Sequence, residues 1–512
     1  MQDNSANNKR IAKNTLLLYF RMLLLMIISL YTSRVIINAL GVEDYGIYSV
    51  VGGLVTMFSM LSGSLSAAIS RFITFELGTG DYEKLKKIFS SSVTIQAGIA
   101  LVIIIIAETL GIWFLNQKMV IPESRLTAAN WCFQFSILTF AINLISVPYN
   151  AAIIAHEKMS AFAYISILEA TGKLIIAWLI INNPIDRLIF YAGMVTLLAI
   201  LIRFIYGLYC KHHFEECTYH LTYEHDLLKR MFSFAGWNFI GASSAVLRNS
   251  GSDIILNLFY GPTVNAARGI AVKIDSVITQ FVNNFMMALN PQITKSYAKG
   301  DRDYMFKLIF KGARYSYYVL LLLALPVILN THYILVLWLK LVPEHAVLFV
   351  QLILAFALSE CLSSPLITAM LATGDIKNYQ IVVGGLQMMN LPVAFFCLYF
   401  GAIPESVMIV AIIISQCCLI VRLYMLRSMI QLKAGKYVRE VYLNVIMVTV
   451  LAAVIPCLLS KTMSEGFFNF LLISIVAIIS TLVVELYIGC SPQERKYAMQ
   501  KASLWYKKHF QI

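Results

Sequence analysis

Ser33-Arg34-Val35-Ile36-Ile37-Asn38, followed by Gly41 and closed by Gly80-Asp81 and Lys87, returns later in the chain as Ser252-Asp253-Ile254-Ile255-Leu256-Asn257, Gly261, Gly300-Asp301 and Lys307. The separation is 219 at the asparagines and 220 at the glycines, so one single-residue shift relates the two runs. A second pair follows in the same order. Ser146-Val147-Pro148 with Ala152 and Ala155 matches Ser363-Ser364-Pro365 with Ala369 and Ala372 at a constant 217. Two ordered matches point to an internal duplication with a period near 220 residues, and that period organises the rest of the chain.

The solvent of this duplicated body follows from composition. Of 512 residues 59% are apolar and 13% charged, and the mean hydropathy is +0.75. A water-soluble body of this size needs more polar surface than that. Apolar runs of about 20 residues, enough to cross roughly 30 Å of hydrocarbon as helix, number fourteen. They fall near residues 14–37, 45–70, 89–114, 128–150, 161–181, 188–210, 233–260, 264–290, 315–338, 346–371, 379–400, 405–426, 441–460 and 467–489. Breaks between them carry turn chemistry and charge, as at Gly41 to Asp44, Gly78 to Asp81 and Gly401 to Pro404. The short alternating runs of a transmembrane barrel are absent. The expected fold is an all-α polytopic membrane protein with about 14 transmembrane helices. Residues 1–230 form one lobe of six spans, 231–428 a second, and 429–512 two further spans with a tail.

Basic residues are retained on the cytoplasmic side. With the N-terminus inside, the cytoplasmic segments hold 26 Lys and Arg and the opposite loops hold 5: Lys118, Arg125, Arg187, Lys340 and Lys461. Both termini are therefore expected in the cytoplasm, and the net charge of +13 needs no nucleic acid. The run Lys295, Lys299, Arg302, Lys307, Lys311, Arg314 reads as topology signal facing lipid headgroups. The polar start Met1 to Lys13 and the uninterrupted first run imply that no signal peptide is removed. Nine cysteines, with no CxxC and no His at metal spacing, imply neither disulfides nor a metal site.

The longest stretch between spans, Lys211 to Met231, leaves no room for a catalytic domain, so no enzyme activity is expected. Gly172-Lys173 and Gly435-Lys436 lack the upstream glycine of a phosphate-cradling loop.

Polarity on one side of a helix at membrane depth marks a cavity or a buried contact. In the eighth run Asn265, Arg268, Lys273, Asp275, Ser276, Gln280, Asn283 and Asn284 share about half the circumference at 100° per residue. Polar helix packing and a hydrated path both produce such a face; two cations and an aspartate favour the path. Asn290-Pro291 is expected to end that helix. The second run carries a small-residue stripe, Gly52, Thr56, Ser59, Gly63, Ser66 and Ser70, which favours close helix packing and leads to Arg71 and Glu76 at the inner mouth. Glu169 and Lys173, four apart, form an acid-before-base pair. Arg21 lies in the first run, and Arg248 and Asp253 lie in the seventh. Arg34 and Asp253 occupy equivalent repeat positions with opposite charge, which suggests a pair across the two halves. Glu360 stands alone, either as a neutral carboxyl or as a proton or cation site. Glu108, Arg203, Arg422 and Glu485 are expected to snorkel.

Ser33-Arg34…Leu40-Gly41-Val42-Glu43-Asp44-Tyr45-Gly46-Ile47-Tyr48, Ala68-Ile69-Ser70-Arg71-Phe72 with Gly78…Gly80-Asp81, and His156-Glu157-Lys158-Met159, set within fourteen spans, resemble the polysaccharide-transporter branch of the multidrug/oligosaccharidyl-lipid/polysaccharide (MOP) exporter superfamily. The resemblance covers nearly the whole chain. It implies two six-helix lobes arranged as a MATE-like V, two extra C-terminal helices, and Wzx-type flipping of undecaprenyl-diphosphate-linked oligosaccharides across the bacterial inner membrane by alternating access. Implied partners are the lipid-linked substrate, membrane lipids and the polymerase or glycosyltransferase machinery. No cofactor is implied beyond H+ or Na+ as a coupling ion. An anionic headgroup needs a cationic, hydrogen-bonding cavity, for which Arg21, Arg34, Arg71, Arg248, Arg268, Lys273, Gln280, Asn283 and Asn284 are the candidates. Asp253, Asp275 and Glu360 are the coupling candidates. A multidrug exporter of the same superfamily and a murein-precursor flippase are the alternatives.

Overall fold

The computed structural model describes residues 4–56, 59–117, 121–180, 186–220, 224–260, 262–339, 342–496 and 500. Every regular element among them is helical, as hydrocarbon requires, since a helix satisfies its backbone groups within itself. The order begins α1 (Asn4–Thr56), α2 (Ser59–Thr79), α3 (Tyr82–Ile106), α4 (Ile112–Gln117), α5 (Leu126–Ala155), α6 (Met159–Leu179) and α7 (Arg187–His213). It continues with α8 (His225–Tyr260), α9 (Pro262–Ala298), α10 (Arg302–Leu329), α11 (Thr331–Leu339), α12 (Ala346–Cys361) and α13 (Ser364–Thr373). The last are α14 (Lys377–Tyr379), α15 (Gly385–Met388), α16 (Asn390–Tyr399), α17 (Ser406–Ile430), α18 (Ala434–Tyr437), α19 (Leu443–Thr462) and α20 (Phe467–Val484). Single π-turns join α3 to α4, α14 to α15 and α18 to α19.

Eleven stretches among the described residues are long and apolar enough to cross a membrane. They coincide with all the expected spans except the second, seventh and eighth. Those three are also helical, within α1–α2, α8 and α9, and in the last two Arg248, Asp253, Arg268, Lys273 and Asp275 depress the hydropathy. Large apolar side chains such as Trp178, Phe204, Ile420, Tyr424 and Phe468 lie exposed, a surface suited to lipid. The chain is a multi-pass membrane protein.

The helices gather into two compact units, residues 1–243 with 287–302 and 374–377, and residues 244–286 with 303–373 and 378–512. In the first, Ile47, Val51, Leu115, Phe133 and Leu188 form one buried cluster, and Leu18, Met159 and Ala288 form another. In the second, Ile309, Leu320, Phe349, Leu354, Leu366 and Val448 are buried.

Backbone geometry carries the duplication beyond the sequence match. Gly80 and Gly300, 220 apart, both end a helix at positive φ, +81° and +74°. After α9 the closure is a Schellman type, with Gly300 N–H donating to the Tyr297 carbonyl and Asp301 N–H to that of Ser296. Glu157 and Gly374, 217 apart, again share positive φ, +59° and +81°. Polar side-chain pairs repeat too. Arg125 binds Asp186 at 2.5 Å in the first unit, and His345 binds Glu405 at 2.6 Å in the second, with spacings of 220 and 219.

Three local expectations need correction. Asn290-Pro291 does not end α9, which runs on to Ala298 with Pro291 inside. A proline removes one backbone donor, and Pro148, Pro326 and Pro456 also lie within helices; the stop comes from Gly300. The break at Gly41 to Asp44 is likewise absent, since α1 is continuous through it, its one glycine there costing only about 1 kcal/mol relative to alanine. In the small-residue stripe, a Cβ on Gly63 would meet nothing within 4 Å, so among the described residues this one position packs no neighbouring helix, while Ser66 and Ser70 are half-buried. Gly52, Thr56 and Ser59 lie outside the described side chains.

Candidate functional site

In the second unit the deep charges converge on two linked groups. Arg268, on the polar face of α9, is 3% exposed and donates through Nη1 to Asp253 of α8. The expected Arg34–Asp253 pair falls outside the described side chains. The fifteen-residue hairpin between α8 and α9 brings a partner of the right charge to Asp253 within its own half. Asp275 is half-buried, and its Oδ1 has no hydrogen-bond partner among the described residues. Lys273, Gln280 and Asn283 are exposed. Asn284 is buried and spends an amide hydrogen on the Gln280 carbonyl at 2.9 Å.

Glu360 is not alone. Its carboxylate accepts from Ser415 Oγ at 2.8 Å and faces Arg422 at 3.7 Å. Arg422 in turn donates from Nε to the Tyr379 hydroxyl at 2.7 Å. At 2% exposed it is a buried hub and does not snorkel. Its Nη1 has no hydrogen-bond partner among the described residues. Ser359 Oγ donates to Ser415 at 3.0 Å, and the Tyr442 hydroxyl donates to Gln416 at 2.9 Å, so α12, α17 and the turn before α19 share one polar seam. Arg248 of α8 stacks on Phe356 of α12, 4.7 Å from the ring centroid. A fully buried arginine with a single close carboxylate is costly, so a polar environment around it has to be maintained.

In the first unit Arg21 stacks on Phe162 at 4.5 Å, with its Nε buried and lacking a hydrogen-bond partner among the described residues. Lys173 Nζ binds Glu169 Oε1 at 2.7 Å, as the i,i+4 spacing implies. Arg203 lies 3.8 Å over Tyr149, and Glu108 accepts from Gln134 at 3.0 Å.

Arg71 occupies a different setting. It ends the apolar part of α2, and its guanidinium is stacked against Phe72, Phe75 and Phe234 at 4.7, 4.6 and 5.8 Å. Beside it opens a cavity of about 580 Å³ lined also by Glu76, Lys229, Arg230, Trp237, Asp375 and Lys377. Gly374 makes room for the guanidinium, since a Cβ there would stand 2.5 Å from Nη2.

A second buried charge cluster went unread in the sequence beyond its motif. Glu157 has a side chain 1% exposed and receives Arg10 Nε at 2.8 Å and Lys295 Nζ at 2.8 Å. Gln292 Nε2 adds a third donor at 2.5 Å, and Asn14 Nδ2 donates to the Glu157 backbone carbonyl at 3.2 Å. Burial lowers the pKa of the Lys295 ammonium, against which Glu157 acts. One carboxylate thus fastens the start of α1 and the last turns of α9 to the turn between α5 and α6. Its signal in the sequence was the position of Glu157 one repeat period before Gly374.

The helical order and the deep, partly paired charges define a multi-pass membrane protein, and solved structures share the fold. The chain is similar to a MATE protein in the bent conformation (TM-score 0.72, 12% identity, 85% of this chain and 96% of that one). It is also similar to an outward-facing MATE family transporter of the MOP superfamily (0.71, 11%, 84% and 96%). A third structure is a MOP superfamily transporter from Pyrococcus furiosus, whose title reports a reverse polarity of the binding pocket (0.69, 12%, 84% and 96%). Among curated proteins it is 19% identical over 307 residues to the uncharacterized membrane protein EpsK of Bacillus subtilis (strain 168). The match takes in 59% of this chain and 60% of that relative, so the chain spans less than two thirds of its length. The family model described as polysaccharide biosynthesis protein matches residues 11–297. The chain belongs to that family.

Proposed function

We propose that this protein flips lipid-linked oligosaccharides, carried on undecaprenyl diphosphate, across the bacterial inner membrane for surface polysaccharide synthesis. Alternating access, with both termini in the cytoplasm, is the mode of action. The observation that carries this reading is arginine at depth in a chain of this family: Arg21 lies in a helix of the first unit and Arg248, Arg268 and Arg422 in helices of the second, and among the described residues Arg268 and Arg422 face a carboxylate. A cationic drug would be repelled by such charges, whereas a diphosphate is attracted to them, and weakly hydrated guanidinium groups suit phosphate. Exposed Lys273, Gln280 and Asn283 on α9 add a free charge and amides suited to sugar hydroxyls. Asp275 and the Glu360–Arg422 pair are the places where a proton or Na+ would act, if transport is ion-coupled.

The test is surface polysaccharide in a strain carrying Arg268→Ala or Lys273→Ala as its only copy. Loss of polysaccharide with normal protein in the membrane supports the reading. Normal polysaccharide in both strains removes α9 from the path.

A further inference from the structure

We propose that the cavity beside Arg71 is a docking site for the diphosphate-sugar headgroup on the face that the loop charges make cytoplasmic, distinct from the charges buried at depth. The proposal rests on the flippase reading for its ligand class, and on the cavity's own chemistry for its location.

Three properties of the cavity converge on that ligand. The first is charge. Arg71, Lys229, Arg230 and Lys377 stand with Glu76 and Asp375 around one opening, a formal excess of two positive charges; a diphosphate diester carries two negative ones. Charge-assisted hydrogen bonds to phosphate are among the stronger polar contacts available. Lys229, Arg230 and Lys377 are exposed, and although Arg230 Nε donates to the Asp226 carbonyl at 3.3 Å, the Lys229 and Lys377 head groups can turn toward an incoming anion. The second is the aromatic wall. Trp237, Phe75 and Phe234 line the same opening, and the Lys377 ammonium lies 5.5 Å from the Trp237 ring. A flat ring beside carboxylates is the usual recipe for a sugar, which offers an apolar C–H face together with hydroxyl donors; Glu76 and Asp375 supply the acceptors. The third is size. At about 580 Å³ the cavity falls in the range of small-molecule sites, roughly 300–1,000 Å³, large enough for a diphosphate and its first sugar.

Arg71 is pre-set for this task. Phe72, Phe75 and Phe234 hold its guanidinium in place at 4.7, 4.6 and 5.8 Å, and such preorganisation lowers the ordering cost of binding. The glycine opposite is part of the device. At φ +81° and with a Cβ excluded by Arg71, position 374 admits only glycine without displacing the arginine. Its repeat partner is Glu157, which takes a lysine where Gly374 makes way for an arginine, so both copies of the turn meet a cation.

The experiment titrates the purified full chain with inorganic pyrophosphate, reading Trp237 fluorescence as the difference from Trp237→Phe. A parallel arm uses phosphatidylcholine vesicles doped with undecaprenyl diphosphate or with phosphatidylglycerol. The proposal expects saturable pyrophosphate binding, weakened at least tenfold by the surface reversals Arg230→Glu and Lys377→Glu and by rising salt, with undecaprenyl diphosphate preferred over phosphatidylglycerol. Binding unchanged by both reversals, or equal response to the two lipids, overturns it. If polysaccharide survives deletion of the gene while pyrophosphate still binds at the cavity, the flippase reading falls and the anion site stands. If transport is lost in the α9 variants but pyrophosphate never perturbs Trp237, the site falls and the flippase reading stands.

Discussion

Replacing Glu157 with alanine should loosen the first unit more than any other single acidic substitution. Its carboxylate is nearly solvent-free and takes donors from Arg10, Lys295 and Gln292. Arg10, 48% exposed at its side chain, regains water when the carboxylate goes, but Lys295, at 17%, does not. Removing one member of a buried pair costs about 3–5 kcal/mol, because the other charge is left uncompensated. The lower end applies here, since Lys295 retains some access to water. At about 2–4 °C per kcal/mol for a unit of roughly 250 residues, a loss of about 3 kcal/mol lowers the melting temperature by about 6–12 °C. Glu157→Gln keeps the shape and the Gln292 contact while removing the charge, so its loss should be intermediate. The assay is thermal unfolding of the purified chain in one detergent, followed by intrinsic fluorescence. Both variants melting within about 2 °C of the parent would refute the claim that this carboxylate clamps α1 and α9 to the α5–α6 turn.

Other outcomes follow from the same geometry. Gly374→Ala meets Arg71 at 2.5 Å and a left-handed backbone, strain of about 1–3 kcal/mol; it should lower the melting point by several degrees and weaken pyrophosphate binding, whereas Gly63→Ala, in open space, should do neither. Arg422→Met alone should destabilise the second unit by about 3 kcal/mol, and adding Glu360→Met should recover much of that loss, a coupling that a double-mutant cycle measures. Burial disfavours the charge on Glu494, but Lys311, the Ser491 backbone N–H and Arg314 outweigh it and hold the carboxyl at about 2. Because this pKa lies below the ordinary glutamate value, the stabilisation is present above about pH 4.5 and is lost as the pH falls toward 2. Limited proteolysis of the segment after α20 should therefore rise between those pH values in the parent, and already be high at neutral pH in Glu494→Gln.

The membrane class and the duplication were legible because they rest on long averages: hydropathy over some 20 residues, and spacings that survive divergence. Gly80 and Gly300 showed where helices stop because a left-handed turn leaves few alternatives to glycine. Pro291 misled for the opposite reason, since a proline's local penalty yields to the tertiary setting of α9. Partner choice was harder to read. Asp253 pairs with Arg268, fifteen residues on, and Glu360 with Arg422, sixty-two residues on, and neither spacing lies on one helix face where an i,i+4 rule applies. Glu169–Lys173 obeys that rule and was read correctly. Arg422 looked like an interfacial arginine because its own helix gives no sign of Tyr379 and Glu360 reaching it from elsewhere. The cavity at Arg71 is built from three separate segments, so the sequence yielded only the arginine.

The central claim is translocation of a lipid-linked diphosphate oligosaccharide by this chain. Proteoliposomes loaded with a fluorescent undecaprenyl-diphosphate oligosaccharide, probed by a sugar-directed reagent that cannot cross the membrane, measure it directly. Vesicles with the intact chain should expose the inner-leaflet fraction to the reagent, at a rate reduced at least tenfold by Lys273→Ala; exposure no faster than in protein-free vesicles would contradict the account.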